Sequence, residues 1–221
     1  MTELEWNGCQ HTYPMLDFLR RPRRPSVRKL RLFAVGCWRR LIPVTEDCSA
    51  VNAIEVSERR ADLRATMTEL REAQKELEQI PRELTSQLSG LYSILEGRFS
   101  LRDARWSSWG AVEWAAKQLR PSELPEQCAI LRELFGPLPF RPISFAKAWR
   151  SWNAATVPQL ALAAYEERNL PAATLDPPKL ALVADALEDA GCTDAELLGH
   201  LRGPGPHVRG CWALDLVLGK E

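Results

Sequence analysis

The sequence predicts an all-α fold: a compact multi-helix bundle of two helical lobes joined by a Pro-rich loop. Three observations support this prediction. Apolar residues recur at steps of three and four, helix-start patterns stand in front of those stretches, and no stretch shows the clear period of two that marks a strand. A chain of 221 residues, 45% of them hydrophobic, can also bury a sizeable core. The pattern leaves room for one or two short strands near 138–146.

The N-terminal part carries several helix-start signals. Thr2 and Glu5 have the spacing of a capping box, and Pro14 is placed to open a second short helix. Ser26 is a suitable N-cap for a helix over 27–41, whose apolar residues share one face. Short helices are therefore predicted from the start of the chain.

A long helical insert is predicted over 49–119. Apolar residues repeat every seven positions from Val56, but Pro81 interrupts the helical stretch. Two helices, or one kinked helix, packed within a bundle are therefore favoured over a continuous coiled coil. Ser100 and Asp103 have the spacing that caps a further helix, which carries several tryptophans.

The segment 136–144 is the candidate connector between two halves of the chain. It holds three prolines in nine residues, which is typical of a surface loop, and Gly136 is placed to stop the helix before it. The predicted organisation is an N-terminal helical region over 1–135 and a C-terminal helical region over 145–221.

The C-terminal region also shows a helical pattern. A helix is predicted over 156–168, and Asp176, followed by proline, is placed to start another. Thr193 and Glu196 have capping-box spacing ahead of a short helix. The last segment, 207–218, is apolar on nearly all sides and is predicted to be a buried helix.

Charge is unevenly distributed along a chain that is neutral overall, with 29 basic and 29 acidic side chains. The segment 20–40 has nine basic residues and no acidic ones, whereas 161–200 has eight acidic and two basic residues. The basic segment could contact nucleic-acid phosphates or an acidic partner, dock on the chain's own acidic half, or cover apolar surface with its arginine stems. The candidate contact residues are Arg20, Arg21, Arg23, Arg24, Arg28, Lys29, Arg31, Arg39 and Arg40.

A metal site is considered near the C-terminus, and the pair Cys9 and His11 is a weaker candidate. His207 and Cys211 are four residues apart and would share a helix face, and Cys192 and His200 precede them, so the four could close a tetrahedral zinc site. However, zinc sites usually show paired close spacings, and Cys211 lies in an apolar stretch where a buried thiol is common. No metal or other cofactor is therefore favoured. The six cysteines are scattered without a CxxC pair and are expected to be reduced.

Catalysis has little support in the sequence. The three histidines lie in no triad-like pattern, and the glycine-rich phosphate-binding, HExxH and GxSxG motifs are absent. No catalytic residue is assigned, and the sequence leans away from an enzyme. Five tryptophans could line an aromatic groove, although burial in the core is favoured: Trp106, Trp109, Trp149, Trp152 and Trp212.

Several segments together resemble an uncharacterised family of bacterial proteins that occurs as many paralogues in large genomes. They are TELEWNGC, PMLDFLR, VRKLRLFAVGCWRR, AVNAIEVSERRAD, LRELFGPLPFRPI, SWNAATVPQLALAAYEERN, LALVADALEDAGCTDAELLGHLR and GPHVRGCWALDLVLGKE. The stretch 50–120 is the least matched, and ADALEDAG is also similar to a domain found beside repeat proteins. The resemblance implies an interaction or regulatory module and no established activity. Family members carry a cysteine-rich stretch where this chain has only Cys37, which argues against a shared metal cluster there.

The function predicted from the sequence is a non-enzymatic, cytoplasmic protein-interaction or regulatory module. Another protein is the expected partner, engaged through the basic segment or the FGPLPFRP loop. A nucleic-acid-associated regulator that uses 20–40 is the first alternative, and a metal-binding protein or unrecognised enzyme is the second. No membrane partner is expected, because the sequence has no run of about 18 uncharged apolar residues and its first ten residues lack a signal-peptide pattern.

Overall fold

The structure is a computed structural model that describes the chain except for 21–25, 42–47, 81–88, 98, 118–122, 144, 171 and 221. For 89, 101, 109 and 112–117 it describes the backbone only. The chain divides into two compact units, Met1–Leu131 and Arg132–Glu221, called here unit 1 and unit 2. The boundary falls within one helix, and each unit has its own core.

Unit 1 is built from helices alone among its described residues. Local signals set several of their starts: Thr2 and Glu5 form a reciprocal capping box, as do Thr66 and Glu69, and the side chain of Ser26 accepts a hydrogen bond from the backbone of Lys29. The helices are α1 (Glu3–Gly8), α2 (Thr12–Leu19), α3 (Val27–Arg39), α4 (Cys48–Ala61), α5 (Met67–Leu77), α6 (Ser89–Tyr92), a 3-10 turn (Ser93–Leu95), α7 (Leu101–Lys117) and the first two turns of α8 (Leu124–Phe135).

Helix α3 is the centre of unit 1. It packs against both α4 and α7, while α5 packs on α4 and α6 packs on α7. Phe33 and Trp38 of α3 are fully buried, and the indole N–H of Trp38 donates to the Ser107 hydroxyl of α7 at 2.9 Å. A buried Trp needs such a partner for its single polar atom, so this bond also fixes how α3 and α7 face each other.

Unit 2 combines helices with one short antiparallel ladder. Asp176 precedes a proline at the first helical position, as the sequence predicts, and Asp194 accepts two backbone N–H groups at the start of the following helix. The elements are the end of α8, α9 (Lys147–Glu166), β1 (Arg168–Asn169), β2 (Thr174–Leu175), α10 (Pro177–Asp189), α11 (Ala195–Leu201) and α12 (Trp212–Leu218).

The core of unit 2 lies between α9, α10, α11 and α12. Helix α9 is broken at Trp152–Ala155, where four residues leave helical backbone geometry. Pro158 therefore lies in the first turn of the second helical piece, where a backbone N–H is not needed, and does not disrupt the helix. This second piece corresponds to the helix predicted over 156–168.

The predicted all-α fold class is confirmed: the described residues form twelve α-helices and a single two-strand ladder. The strands lie at Arg168–Asn169 and Thr174–Leu175 and not near 138–146, where the described residues form turns and bends. Among the described helices, none joins the length to the apolar character that crossing a membrane requires. The predicted connector at 136–144 stays a prediction.

Three local predictions were wrong in their details. The stretch from α4 to α5 breaks at 62–66, where Leu63 adopts a positive φ of 59°; the predicted break at Pro81 lies outside the described residues. The N-cap of α11 is Asp194 and not Thr193. The last helix begins at Trp212 and not at 207, because Val208 forms a β-bridge with Thr174 and Gly210 has a positive φ of 89°.

Gly136 allows the end of α8 to approach the start of α12. Its φ is +51°, and a Cβ atom there would lie 2.5 Å from Cδ1 of Trp212. Both the backbone geometry and the missing side chain are thus needed for this approach.

Gly136→Ala should destabilise the protein by about 2–4 kcal/mol, since it adds both backbone strain and a clash with the indole. Gly191→Ala is the matched control, because Gly191 also has a positive φ but no atom lies within 4 Å of the position that a methyl group would take there; it should cost about 1–2 kcal/mol. Urea denaturation measures both, and equal losses would contradict the role of the Trp212 contact.

The capping box of α5 predicts a pH effect. Hydrogen bonds from the backbone of Thr66, then from Arg59 and the Thr66 hydroxyl, lower the pKa of Glu69 from 4.5 to about 2. A lowered carboxyl pKa stabilises the fold above the unfolded value, and this stabilisation is lost as the pH falls toward the folded value. The difference in unfolding free energy between the wild type and Glu69→Gln should therefore be full above pH 5 and shrink toward pH 2. A difference that grows on acidification would contradict this assignment.

Candidate metal centre in unit 2

Four side chains with metal-binding atoms meet inside unit 2. One donor atom from each lies within 4.8 Å of all the others. Three of the four residues are buried and His200 is partly exposed. The cluster, called here the Glu-His-His-Cys cluster, consists of Glu133, His200, His207 and Cys211.

Glu133 reaches the cluster from the last turn of α8. Its side chain is only 5% exposed, so its charge requires compensation from groups inside the protein. The approach of Gly136 to Trp212 places the end of this helix beside the residue that follows Cys211 in the chain. The close packing of glycine and indole therefore brings Glu133 and Cys211 together.

His200 lies at the C-terminal end of one helix, and Cys211 lies at the N-terminal end of another. His200 is in the last turn of α11, and Cys211 is the N-cap residue of α12. The ring of Trp212 lies 4.9 Å from the ring of His200, centroid to centroid, so the indole forms one wall of the cluster.

His207 belongs to the extended stretch between α11 and α12. Its carbonyl oxygen accepts the Leu175 N–H at 2.9 Å, and Val208 forms a β-bridge with Thr174, so the ladder holds this stretch in place. Gly205 has a φ of +91°, and a Cβ there would lie 2.7 Å from the His207 nitrogen. A turn that only glycine fits therefore delivers His207 to the cluster.

The hydrogen bonds of His207 determine which ring nitrogen can bind a cation. Its Nε2 lies 3.0 Å from the Gly203 carbonyl oxygen, which can only accept, so Nε2 carries a hydrogen. The other nitrogen, Nδ1, lies 3.1 Å from Oε1 of Glu133. A nitrogen lone pair would repel a carboxylate at this distance, so a proton or a metal ion must lie between them. Histidines that bind metals characteristically donate their second N–H to a carbonyl in this way.

The contacts of His200 favour a metal ion over a proton. Its Nε2 lies 3.3 Å from Oε2 of Glu133 and also 3.3 Å from Sγ of Cys211. One N–H would have to be shared between both atoms, whereas a single ion can bind the imidazole, the carboxylate and the thiolate together. The same geometry argues against a Cys-His-acid catalytic triad, in which thiol and carboxylate contact opposite nitrogens of the ring.

Three contacts within the cluster are close to the ligand distances of a tetrahedral zinc centre. Zinc bonds of roughly 2.0 Å to oxygen and nitrogen and roughly 2.3 Å to sulfur place neighbouring ligands about 3.3–3.6 Å apart at tetrahedral angles. The three contacts are 3.1 Å from His207 to Oε1 of Glu133, 3.3 Å from His200 to Oε2 of Glu133 and 3.3 Å from His200 to the Cys211 sulfur, and one donor from each residue lies within 4.8 Å of all the others. The charges also balance, because a divalent ion neutralises one carboxylate and one thiolate beside two neutral imidazoles.

The electrostatics of the cluster follow from burial and from these contacts. Burial alone would raise the pKa of Glu133, but hydrogen bonds and charge from His200 and His207 outweigh it and lower the pKa to about 2. Burial and the neighbouring Glu133 raise the pKa of the Cys211 thiol well above its usual value. Without a cation the thiol therefore stays protonated, whereas a bound metal would stabilise the thiolate.

The structure brings together three of the four residues that the sequence suggests as metal ligands. His200, His207 and Cys211 meet, whereas Cys192 is buried outside the cluster. The expectation of a shared helix face was wrong, because His207 and Cys211 both precede α12. Glu133 was missed, and the available signal was a glutamate next to the apolar residues Leu134 and Phe135 at a helix end.

Several arginines of the predicted contact segment already have partners within unit 1. Arg28 pairs with Asp62 at 2.7 Å. Arg31 is buried and donates to the backbone carbonyl oxygens of Ile94 and Glu96 at 2.5 and 2.6 Å. Burial, followed by the charge of Arg60, lowers the pKa of Arg31 to about 10. These guanidiniums serve the fold of unit 1.

The last two arginines of the segment are paired as well. Arg39 is buried and lies 2.5 Å from Glu58, which is also buried. Arg40 contacts both Glu123 and Glu126, at 2.8 and 3.3 Å. These carboxylates belong to unit 1 and not to the acidic stretch 161–200. Lys29 is buried and Arg20 is exposed, while Arg21, Arg23 and Arg24 lie outside the described residues.

Comparison with family models, curated proteins and solved structures gives no match for this chain. The resemblance described above and the role of 20–40 as a contact surface therefore stay predictions, and the geometry carries the functional argument.

Arg39→Met should destabilise the protein by about 3–5 kcal/mol, because it removes a partner from the buried Glu58 carboxylate. Arg20→Met, at an exposed arginine of the same segment, should change stability by less than about 0.5 kcal/mol. The double variant Arg39→Met/Glu58→Leu should recover much of the loss, since it removes the buried charge. Urea denaturation measures the stability of all three variants. If Arg39→Met were as stable as Arg20→Met, Arg39 would not support the fold.

Proposed function

We propose that this chain is a zinc-binding, non-enzymatic module in which the metal holds unit 2 together. The observation that carries the proposal is the position of His200 Nε2, at 3.3 Å from both the Glu133 carboxylate and the Cys211 sulfur. One central cation would bind these donors and the Nδ1 atom of His207 at the same time.

The donor types favour zinc over other ions. Two imidazole nitrogens, one thiolate and one carboxylate suit a borderline-soft ion, whereas calcium and magnesium prefer oxygen ligands alone. Zinc also has no geometric preference that conflicts with a tetrahedral cluster. The expected complex has one sulfur, two nitrogen and one oxygen ligands.

A structural role is favoured over a catalytic one. Catalytic zinc sites keep a position open for water or substrate, whereas this cluster offers four protein donors. The side chains of Glu133 and His207 are 5% and 2% exposed, and Cys211 is fully buried. The ion would link the end of α8, the end of α11 and the start of α12. Its bonds would add the stability that the small hydrophobic core of a short unit cannot provide alone.

This proposal keeps the expectation of a cytoplasmic interaction or regulatory module and adds its means of stabilisation. Reduced thiols are available for metal binding in such a compartment. A zinc-stabilised helical unit without a catalytic position suits a protein that works by contact with another macromolecule.

The purified full-length chain should contain about one zinc ion per molecule, measured by plasma mass spectrometry after dialysis. Removal of the metal by a strong chelator should lower the melting temperature by roughly 10 °C, since a loss of about 3 kcal/mol corresponds to roughly 2–4 °C per kcal/mol in a chain of this size. Added zinc should restore it. No stoichiometric metal, even after refolding with zinc, would overturn the proposal.

Matched variants distinguish specific ligands from adventitious binding. His207→Ala and Cys211→Ser should each lose most of the zinc, since a tetrahedral site with three protein ligands holds the ion less tightly. His11→Ala and Cys48→Ser change the same residue types at exposed positions of unit 1 and should keep the full zinc content. Equal zinc contents in all four variants would contradict the assignment of the ligands.

A further inference from the structure

Unit 1 contains a cavity that the metal centre does not involve. Its volume is about 500 Å³, within the range of about 300–1,000 Å³ that small-molecule sites occupy. Residues from α2, α7 and α8 line it. The six that matter for its chemistry, called here the Arg-Trp pocket, are Tyr13, Arg20, Arg102, Arg105, Trp106 and Gln127.

Helix periodicity groups these side chains into two walls of the pocket, one on α7 and one on α2. Arg102, Arg105 and Trp106 are three and four residues apart on α7, so they share a face of that helix. Tyr13 and Arg20 are two turns apart and come from α2 and its C-cap, so they also point the same way. The pocket is therefore formed by side chains on two helix faces and not by a single loop.

The pocket carries more positive charge than its surroundings neutralise. Arg105 stacks on the ring of Tyr13, with its guanidinium carbon 3.7 Å from the ring centroid. Among the described residues, neither Arg102 nor Arg105 has a carboxylate within 4.0 Å, and Arg20 reaches Asp17 only at 4.0 Å. Elsewhere in unit 1 arginines such as Arg28 are closely paired. The unpaired guanidiniums therefore favour an anionic ligand.

Trp106 adds a stacking surface beside these cations. It is 57% exposed, whereas Trp6 and Trp38 of the same unit are almost completely buried. Tyr13 is 61% exposed on the opposite helix. Exposed aromatic rings next to arginines are the combination that binds a planar ring attached to phosphate.

Gln127 supplies a polar group in the wall of the pocket. Its side chain is 1% exposed, and its Nε2 donates to the Ser108 carbonyl oxygen at 2.9 Å. Its own carbonyl oxygen has no hydrogen-bond partner among the described residues. A buried acceptor without a partner is costly, and a ligand donor would relieve that cost once a small movement of the side chain exposes the oxygen to the pocket.

We propose that the Arg-Trp pocket binds a nucleoside phosphate. The phosphate would lie against Arg102, Arg105 and Arg20, and the base would stack on Trp106 with an amino or imino group within reach of the Gln127 region. Inorganic phosphate alone would not use the aromatic rings, and an apolar ligand would leave three guanidiniums unused. Because the pocket lies in unit 1 and the metal centre in unit 2, this proposal does not rest on the zinc proposal.

The test is isothermal titration of the full-length, zinc-loaded chain with ADP, AMP, adenosine, inorganic phosphate and a single-stranded 12-nucleotide RNA. ADP and AMP should bind at least tenfold more tightly than adenosine or inorganic phosphate, and added salt should weaken their binding. Trp106→Leu and Arg102→Gln should each weaken ADP binding by roughly tenfold or more, since base stacking on an aromatic ring contributes about 1–3 kcal/mol. Arg71→Gln, at an exposed arginine of α5 outside the pocket, should bind ADP like the wild type.

Both pocket substitutions are at exposed positions, so melting temperatures close to the wild type are expected and confirm folding. If Trp106→Leu unfolds the chain, Trp106→Phe replaces it. This variant keeps a stacking ring, so it should bind ADP nearly as tightly as the wild type, whereas Arg102→Gln should not. The proposal is overturned by no binding of ADP at millimolar concentration, by ADP binding no tighter than phosphate, or by equal affinities in Arg102→Gln and Arg71→Gln. Binding of the RNA alone would overturn it in favour of a nucleic-acid surface.

Discussion

A buried carboxylate imposes the main constraint on unit 2. Glu133 lies in the interior with its two oxygens facing nitrogens of His200 and His207, and a buried anion is stable only if cations or strong donors surround it. Protons satisfy the contact with His207, whereas at His200 one N–H would be shared between the carboxylate and the Cys211 sulfur, or the thiol would donate instead. The proposed divalent ion would neutralise the carboxylate and the thiolate together, and it would link the ends of three helices.

Local features of unit 2 bring the ligands together at small cost. Gly136 removes the side chain that would separate α8 from Trp212, and the carbonyl of Gly203 fixes the ring of His207 so that Nδ1 faces the cluster. In unit 1 buried charges are neutralised differently, because buried arginines such as Arg39 pair with carboxylates. Arg102 and Arg105 beside Trp106 have no carboxylate partner among the described residues, and their position in the pocket suits an external anion.

Features that depend on a few neighbouring residues could be predicted from the sequence, whereas contacts between residues far apart in the chain could not. The caps at Thr2 and Ser26 are confirmed because a cap depends only on its own first turn. The break at Leu63 has no glycine or proline to mark it, so tertiary packing decides it. The histidines and Cys211 were recognisable as possible ligands because they are close in the chain, whereas Glu133 lies more than sixty residues before them and only the fold brings it there.

Zinc K-edge X-ray absorption of the purified full-length chain tests the central claim most directly, because it reports the atoms bound to the ion. Four ligands are expected, with one sulfur at roughly 2.3 Å and three nitrogen or oxygen atoms at roughly 2.0–2.1 Å, and the sulfur shell should be lost in Cys211→Ser. A six-coordinate shell of oxygen atoms, or a sulfur signal that persists in Cys211→Ser, would contradict it.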